Sequence, residues 1–570
     1  MLTILIRLTS PFYPSFPPVP TPLPRFLSAS AVNRLLAVPL LLVACVVALP
    51  ILAIVAAVLQ WDAVSAQLLR EMAATVLPQY AMTTLVLCLA VALGVGAFGA
   101  ATACAVTLFD FKGRRMFEWA LLLPLAMPAY VVAYAYTDFL QYSGPAQTAI
   151  RAAFSLEGRV FPEVRSVGGA AVVFIFTLYP YVYLLARAAL TQRAAHLMEA
   201  ARLMGAPLRR RILTIALPLA RPAIVAGIAL ALMETLADYG VSSYFGIQTF
   251  TAGIYKAWLA LDSRIAAAQL ATVLLLLVAG LLQMERHARR KLRFASSRGL
   301  RADSAEARPI ALQGRRAGLA QALCALPVLL GFVLPVLCML RPLLLAWGQA
   351  DTPLPWSSFM DWSLNSFKLA AITAALTTAL ALALAFAVRR RPTRLTRGVV
   401  QLASMGYAVP GAVIVVGLLI PVGWLQAAQP EWGVGFLVST TVLGITWAYM
   451  VRFSAVALQS VQSGYSQIPT SMDDTARTLG VNGLQLWWRI HRPLLQRSTV
   501  VAALLVFVDV MKELPATLVL RPFDHDTLAV VAYQLARDER LGEAALPALA
   551  LVLVGLIPVI LLSRALNKKA

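Results

Sequence analysis

Residues Glu199–Pro218 read E-A-A-R-L-M-G-A-P-L-R-R-R-I-L-T-I-A-L-P, and Asp474–Pro493 read D-T-A-R-T-L-G-V-N-G-L-Q-L-W-W-R-I-H-R-P. Both stretches are polar and basic in a chain that is otherwise mostly apolar. They align at a constant offset of 275 residues, which pairs Ala201 with Ala476, Arg202 with Arg477, Gly205 with Gly480 and Pro218 with Pro493. Two matched polar loops imply two matched halves, each presenting one contact to something on the same side of a membrane.

The membrane itself follows from composition. The 570 residues are 60% hydrophobic and 13% charged, with a mean hydropathy of +0.77. Soluble domains carry about 25% charged residues, so this chain is read as a polytopic membrane protein. A spanning helix needs roughly 20 apolar residues. Twelve runs qualify, near 35–59, 81–108, 117–140, 168–190, 222–246, 265–284, 319–346, 366–388, 398–425, 434–458, 498–520 and 544–563. The expected fold is therefore all-α, with about 12 transmembrane helices in two homologous halves.

The repeat extends beyond the polar loops. Thr83–Pro128 parallels Asn365–Pro410 at an offset of 282, so each half is one less similar helix followed by a five-helix core. The expected divisions are a proline-rich, disordered cytoplasmic tail over 1–33 and a first half over 34–285 with its core at about 79–285. A basic cytoplasmic linker over 286–318 follows, then a second half over 319–570 with its core at about 363–565. Both halves point the same way, which sets a pseudo-two-fold axis along the membrane normal, an architecture of transporters.

The net charge of +22 would suggest nucleic acid on a soluble protein. Here 36 of the 48 Lys and Arg fall in segments that share one face if the N-terminus is cytoplasmic. That bias places both termini inside and accounts for most of the excess without a nucleic-acid partner. Runs such as Arg209–Arg211 and Arg389–Arg391 are read as orientation signals and lipid headgroup contacts.

No catalytic constellation is evident. The cysteines Cys45, Cys88, Cys104, Cys324 and Cys338 all lie in apolar runs without ligand spacing. The histidines His196, His287, His491 and His525 are scattered, and no G-x(4)-G-K-[ST] occurs. Neither a cofactor nor a resident metal is expected. In the polar loops, Gly205 and Gly480 fall where a short helix must stop, and glycine tolerates the left-handed turn that such a stop uses. In the second copy Pro469-Thr470-Ser471 precedes Asp473-Asp474, a pattern that predicts an N-cap with acids in the first turn. The first copy has Ala195-His196-Leu197 there and lacks that cap.

A second signal lies inside the membrane. Glu234 and Asp238 are spaced to share one helical face. Adding 275 lands on Asp509 and Glu513. Acids at membrane depth cost roughly 2.5–3.5 kcal/mol each on insertion scales, which makes them functional candidates. Lys512 is expected to pair with Asp509. Two readings stay open: a ring of carboxylates lining a translocation path, whose hard oxygens suit a hard cation, or acids that join the halves or cap broken helices.

The paired loops resemble the E-A-A-x(3)-G loop of the permease subunits of binding-protein-dependent ABC importers, of the type I fold. The resemblance implies that Glu199, Ala200, Ala201 and Gly205, with Asp474, Ala476 and Gly480, carry coupling helices that dock on a cytoplasmic ABC ATPase dimer. Three longer segments are similar to the ferric-iron permeases of that superfamily: Leu123–Tyr136, Glu234–Tyr255 and Lys512–Phe523. That resemblance implies a bacterial plasma-membrane permease with two fused transmembrane domains. A periplasmic binding protein would deliver Fe3+, and this chain itself would hydrolyse nothing. Permeases for thiamine, phosphonates, polyamines, sulfate and molybdate share the architecture. A secondary transporter is the more distant alternative, and it has no reason to repeat such loops.

Overall fold

The computed structural model describes residues 49–54, 56, 63–191, 195–261, 263–296, 309–347, 354–390, 392–403, 406, 409–481 and 483–567. The proline-rich segment 1–33, most of the first apolar run and linker residues 297–308 lie outside that set. Helices dominate. The first half contains α1 (Ala63–Thr75), α2 (Leu77–Leu108), α3 (Arg114–Ala120), α4 (Ala129–Leu140), α5 (Val167–Ala189), α6 (Ala195–Leu203), α7 (Leu217–Ala237), α8 (Gly240–Tyr244), α9 (Phe250–Tyr255) and α10 (Arg264–Ser296). The second contains α11 (Arg315–Trp347), α12 (Trp356–Arg390), α13 (Gly411–Ala428), α14 (Val442–Tyr465), α15 (Thr470–Thr478), α16 (Arg492–Lys512), α17 (Pro515–Leu520), α18 (Leu528–Arg537) and α19 (Leu541–Asn567). Among the described residues the strands are β1 (Phe109–Asp110) and β2 (Ile310–Ala311), which pair in parallel and tie the end of the linker to the turn after α2.

The repeat is reproduced almost residue for residue. An offset of 275 carries the start of α5 onto α14 and both ends of α6 onto α15. It also carries both ends of α7 onto α16 and the single π-helical turn at Ile212–Ala216 onto that at Trp487–His491. Even the caps match. Ser166 accepts from Gly169 N at 3.1 Å to start α5, and Thr441 accepts from Leu443 N at 3.3 Å to start α14.

In the first half α2, α5, α7 and α10 pack on one another, and in the second α12, α14 and α16 do the same. The halves interlock, since α11 lies against α4 and α10 lies against α13. Leu85, Leu89 and Leu93 form a stripe on α2 that is 65%, 60% and 67% exposed. A four-residue spacing puts them on one face, and lipid is the solvent that such a face suits.

Among the described residues ten helices are long and apolar enough to cross a membrane, and a bent pair makes an eleventh. The run expected as a straight span over 117–140 is that pair. It turns by 90° between Ala126 and Ala129. Pro124 and Pro128 are the cause: each lacks an N–H donor, and Met127 before Pro128 is driven to extended backbone (φ −88°, ψ 121°). The runs expected at 222–246 and 498–520 also fail to continue as single helices. Helix α7 ends at Ala237 and α16 at Lys512, each followed by a short second helix.

Candidate functional site

The two polar loops fold alike. Gly205 and Gly480 both adopt φ +79°. Gly205 N donates to Arg202 O at 3.0 Å and Ala206 N to Ala201 O at 3.0 Å, while Gly480 N donates to Arg477 O at 3.0 Å and Val481 N to Ala476 O at 2.9 Å. These are paired Schellman stops, in which a left-handed glycine closes the last carbonyls of a helix. Ala201 and Ala476 face inward, each 4% exposed, whereas Ala200 and Asp474 are exposed. Glu199 lies on α6, and its side chain falls outside the described set. Just before each glycine an apolar side chain points away from the protein: Met204 is 80% exposed and Leu479 78%, with Leu203 beside them at 84%. The repeat could have flagged this matched pair.

The undersides of the two loops differ. The expected cap by Thr470 or Ser471 is not formed: Pro469 occupies the N-cap position and no side chain caps α15. The reason lies in Asp473, which turns inward to long-range partners. Arg389 Nε donates to Asp473 Oδ2 at 2.7 Å, and His491 Nε2 lies 3.0 Å from Asp473 Oδ1. Arg389 also donates to the carbonyls of Ile468 and Pro469, and Tyr465 contacts His491 Nδ1 at 3.3 Å. Burial works against the Asp473 carboxylate, but the hydrogen bonds from Arg389 and His491 outweigh it and hold its pKa below the usual range. In the first half the matching positions are Met198, Leu190 and Ala216, all buried and apolar.

Inside the membrane the four expected acids meet at the junction of the halves, in two different roles. Asp238 is not on the same helical face as Glu234. It follows the end of α7 in extended backbone (φ −73°, ψ 133°), and its Oδ1 accepts from Val241 N at 2.8 Å. Glu513 follows α16 in the same way (φ −71°, ψ 123°) and accepts from Ala516 N at 3.0 Å and from Thr517 N at 3.1 Å. The i, i+4 expectation fails because each of these carboxylates caps the short helix that starts after the break. Glu234 and Asp509 remain on α7 and α16, half-buried, and Asp509 lies within reach of the charges of Lys512 and Glu234.

Lys512 forms no salt bridge with Asp509 among the described residues. Its ammonium donates to Leu125 O of the first half at 3.1 Å. Glu513 instead pairs with Arg452 Nη1 at 3.1 Å. Arg452 lies on α14 with its side chain 12% exposed. One basic residue inside the apolar run A-Y-M-V-R-F-S-A was the available signal.

Carbonyls freed by the breaks are taken up across the junction. Tyr255 Oη donates to Pro515 O at 2.6 Å and Tyr130 Oη to Lys512 O at 3.4 Å, while the Ser243 and Tyr533 hydroxyls lie 2.7 Å apart. Beside them is a cavity of about 330 Å³ lined by Tyr239, Ser242, Ser243, Gln248, Tyr255 and Lys256, among others.

Residues 93–291 match the model of the binding-protein-dependent transport system inner membrane component. Over those residues the chain is similar to this family. The permease is 26% identical over 483 residues to the Fe(3+)-transport system permease protein FbpB 2 of Haemophilus influenzae, covering 84% of this chain and 88% of that one. It is 27% identical over 148 residues to the sulfate transport system permease protein CysT of Escherichia coli, covering 25% and 50%. It is 24% identical over 191 residues to the putative 2-aminoethylphosphonate transport system permease protein PhnU of Salmonella choleraesuis, covering 33% and 67%. The permease is thus a multi-pass membrane protein and a translocation subunit of an ABC importer, not an enzyme.

Proposed function

We propose that the permease imports ferric iron across a bacterial plasma membrane, taking it from a periplasmic binding protein. A cytoplasmic ATPase dimer drives the import by docking on α6 and α15. Both termini are cytoplasmic, in keeping with the distribution of Lys and Arg. The observation that carries the coupling is the matched pair of loops, with one glycine stop and one exposed apolar side chain in each half. ATP closes the ATPase dimer, the movement enters through α6 and α15, and the junction opens alternately to the two sides. Asp238 and Glu513 hold the breaks, while Glu234 and Asp509, one from each half, face the cargo. Carboxylate oxygens are hard donors that suit a trivalent cation. Two of them attract it without forming a cage that would retain it.

A second reading is an oxyanion cargo. The sulfate and phosphonate relatives favour it, and so does the junction cavity, where among the described residues Lys256 is the charged lining residue beside hydroxyls and an amide. The experiment is uptake of radiolabelled ferric iron by cells carrying the full transport system, with unlabelled sulfate and 2-aminoethylphosphonate as competitors. Iron uptake that neither anion reduces supports the first reading. Absence of iron uptake with normal membrane insertion ends it. Uptake that survives Gly205→Asp with Gly480→Asp would end the coupling assignment.

A further inference from the structure

The two halves match so closely that their differences carry information. One difference lies at the path itself. In the second half Arg452 reaches from α14 to Glu513 at the break after α16, and the two side chains are 12% and 2% exposed. The space for the pair comes from Gly411, the first residue of α13. A Cβ added there would lie 2.6 Å from Arg452 Nη1 and 2.9 Å from Glu513 Oε1. In the first half the three matching positions are Ala129, Thr177 and Asp238. Where the small residue gains a methyl, the cation is gone and the acid is one methylene shorter. Thr177 turns back on its own helix and donates to Val173 O at 2.8 Å. Three substitutions that make sense only together separate the halves.

We propose that Arg452 is a positioning residue of the translocation path: its ion pair with Glu513, seated in the space that Gly411 leaves, ties the helix leading into the second coupling loop to the break at the junction. Among the described residues the tie exists in the second half alone. Helix α14 continues from Arg452 to Tyr465, and a four-residue turn leads from it into α15, so a push on α15 has a short route to the break. Glu513 is already held by Ala516 N, Thr517 N and the Thr517 hydroxyl, so movement of Arg452 drags the start of α17 with it. In the first half α5 passes the break after α7 with no such link. Glu513 is thereby withdrawn from the cargo, and the second half is the driven half. Removing one member of a buried, hydrogen-bonded ion pair strands the other, whereas neutralising both spares the fold. The tie can therefore be removed without stranding a charge.

This inference rests on the importer reading above, and its test is independent of which cargo is carried. In a cysteine-free background, Ser243→Cys places a thiol at the junction contact with Tyr533. Membrane vesicles from the native host are treated with a membrane-impermeant thiol reagent with and without MgATP. The reporter alone changes its labelling rate on addition of ATP. Arg452→Gln with Glu513→Gln inserts normally and loses the ATP-dependent change. Gly411→Ala, which displaces the pair and removes no charge, loses it as well, and Arg452→Lys restores part of it. Thr177→Val in the first half leaves the change intact. A role confined to stability would lower the amount of protein and leave the ATP response of the surviving molecules unaltered, and that result would overturn the tie. A full response in the double glutamine variant would overturn it too. A reporter that ignores ATP with Arg452 intact would instead remove the importer reading beneath it.

Discussion

Asp473 condenses the difference between local and long-range reading. Its neighbours in sequence predict an acid in a first helical turn, yet its carboxylate binds Arg389, 84 positions earlier, and His491, 18 later. Asp473→Asn leaves Arg389 without its counter-charge in a site where Asp473 is 4% exposed. Breaking a buried pair from one side costs roughly 3–5 kcal/mol. The expected outcome is a folded permease whose segment 470–481 exchanges amide hydrogen far faster than in the wild type. Met198→Leu, at the matching apolar site, leaves exchange nearly unchanged. The pH dependence has a defined sign. The folded pKa is held below the unfolded value of about 3.9, so this contribution is present in full above about pH 4 and lost as pH falls through the folded pKa. The difference in thermal midpoint between wild type and Asp473→Asn thus shrinks as pH falls into the acid range. A difference that shrinks as pH rises instead would contradict it.

The helices show what hydropathy can and cannot register. The membrane runs were legible because a span is a property of some twenty residues together, and the loops were legible because they are polar within an apolar chain. The breaks were not, since a single Asp238 or Glu513 barely lowers the average of the run that contains it. The break before α4 was open to a reading of Pro124 and Pro128 that composition alone does not supply. The glycine stops were legible from residue type and position, and their consequence is measurable. At Gly480 no atom lies within 4 Å of an added Cβ, so Gly480→Ala costs only the left-handed backbone strain of about 1–2 kcal/mol. It frays the end of α15 in hydrogen exchange and leaves insertion untouched. Met204 and Leu479 are a different case. Both are exposed and contribute little to the fold, so Met204→Asp and Leu479→Asp leave thermal stability within about 0.5 kcal/mol. Each lowers recovery of the ATPase in detergent pull-downs, and the double variant abolishes it. Unchanged recovery in the double variant would remove these side chains from the docking surface.

For the molecule as a whole, the repeat supplied the architecture but concealed its asymmetry. An offset of 275 predicts equal halves, and the backbone obeys. The polar anchors do not: Asp473, His491, Arg452 and Lys512 have Met198, Ala216, Thr177 and Ala237 as counterparts. The two cations that hydrogen-bond at the helix breaks, Arg452 and Lys512, therefore both come from the second half. Of the acids, the two that cap helix breaks already have structural work, which leaves Glu234 and Asp509 for the proposed contact with cargo. Two groups acting on one ion couple energetically, so their substitutions do not add. Glu234→Gln and Asp509→Asn each lower ferric uptake about tenfold, equivalent to about 1.4 kcal/mol, and the double variant is little worse than either single one. Additive losses, a hundredfold in the double variant, would mean that the two carboxylates act at separate points along the path. Unchanged uptake in the double variant, at normal membrane levels, would leave Tyr239, Tyr255, Tyr533 and Lys256 as the groups in contact with the cargo and would favour an anion.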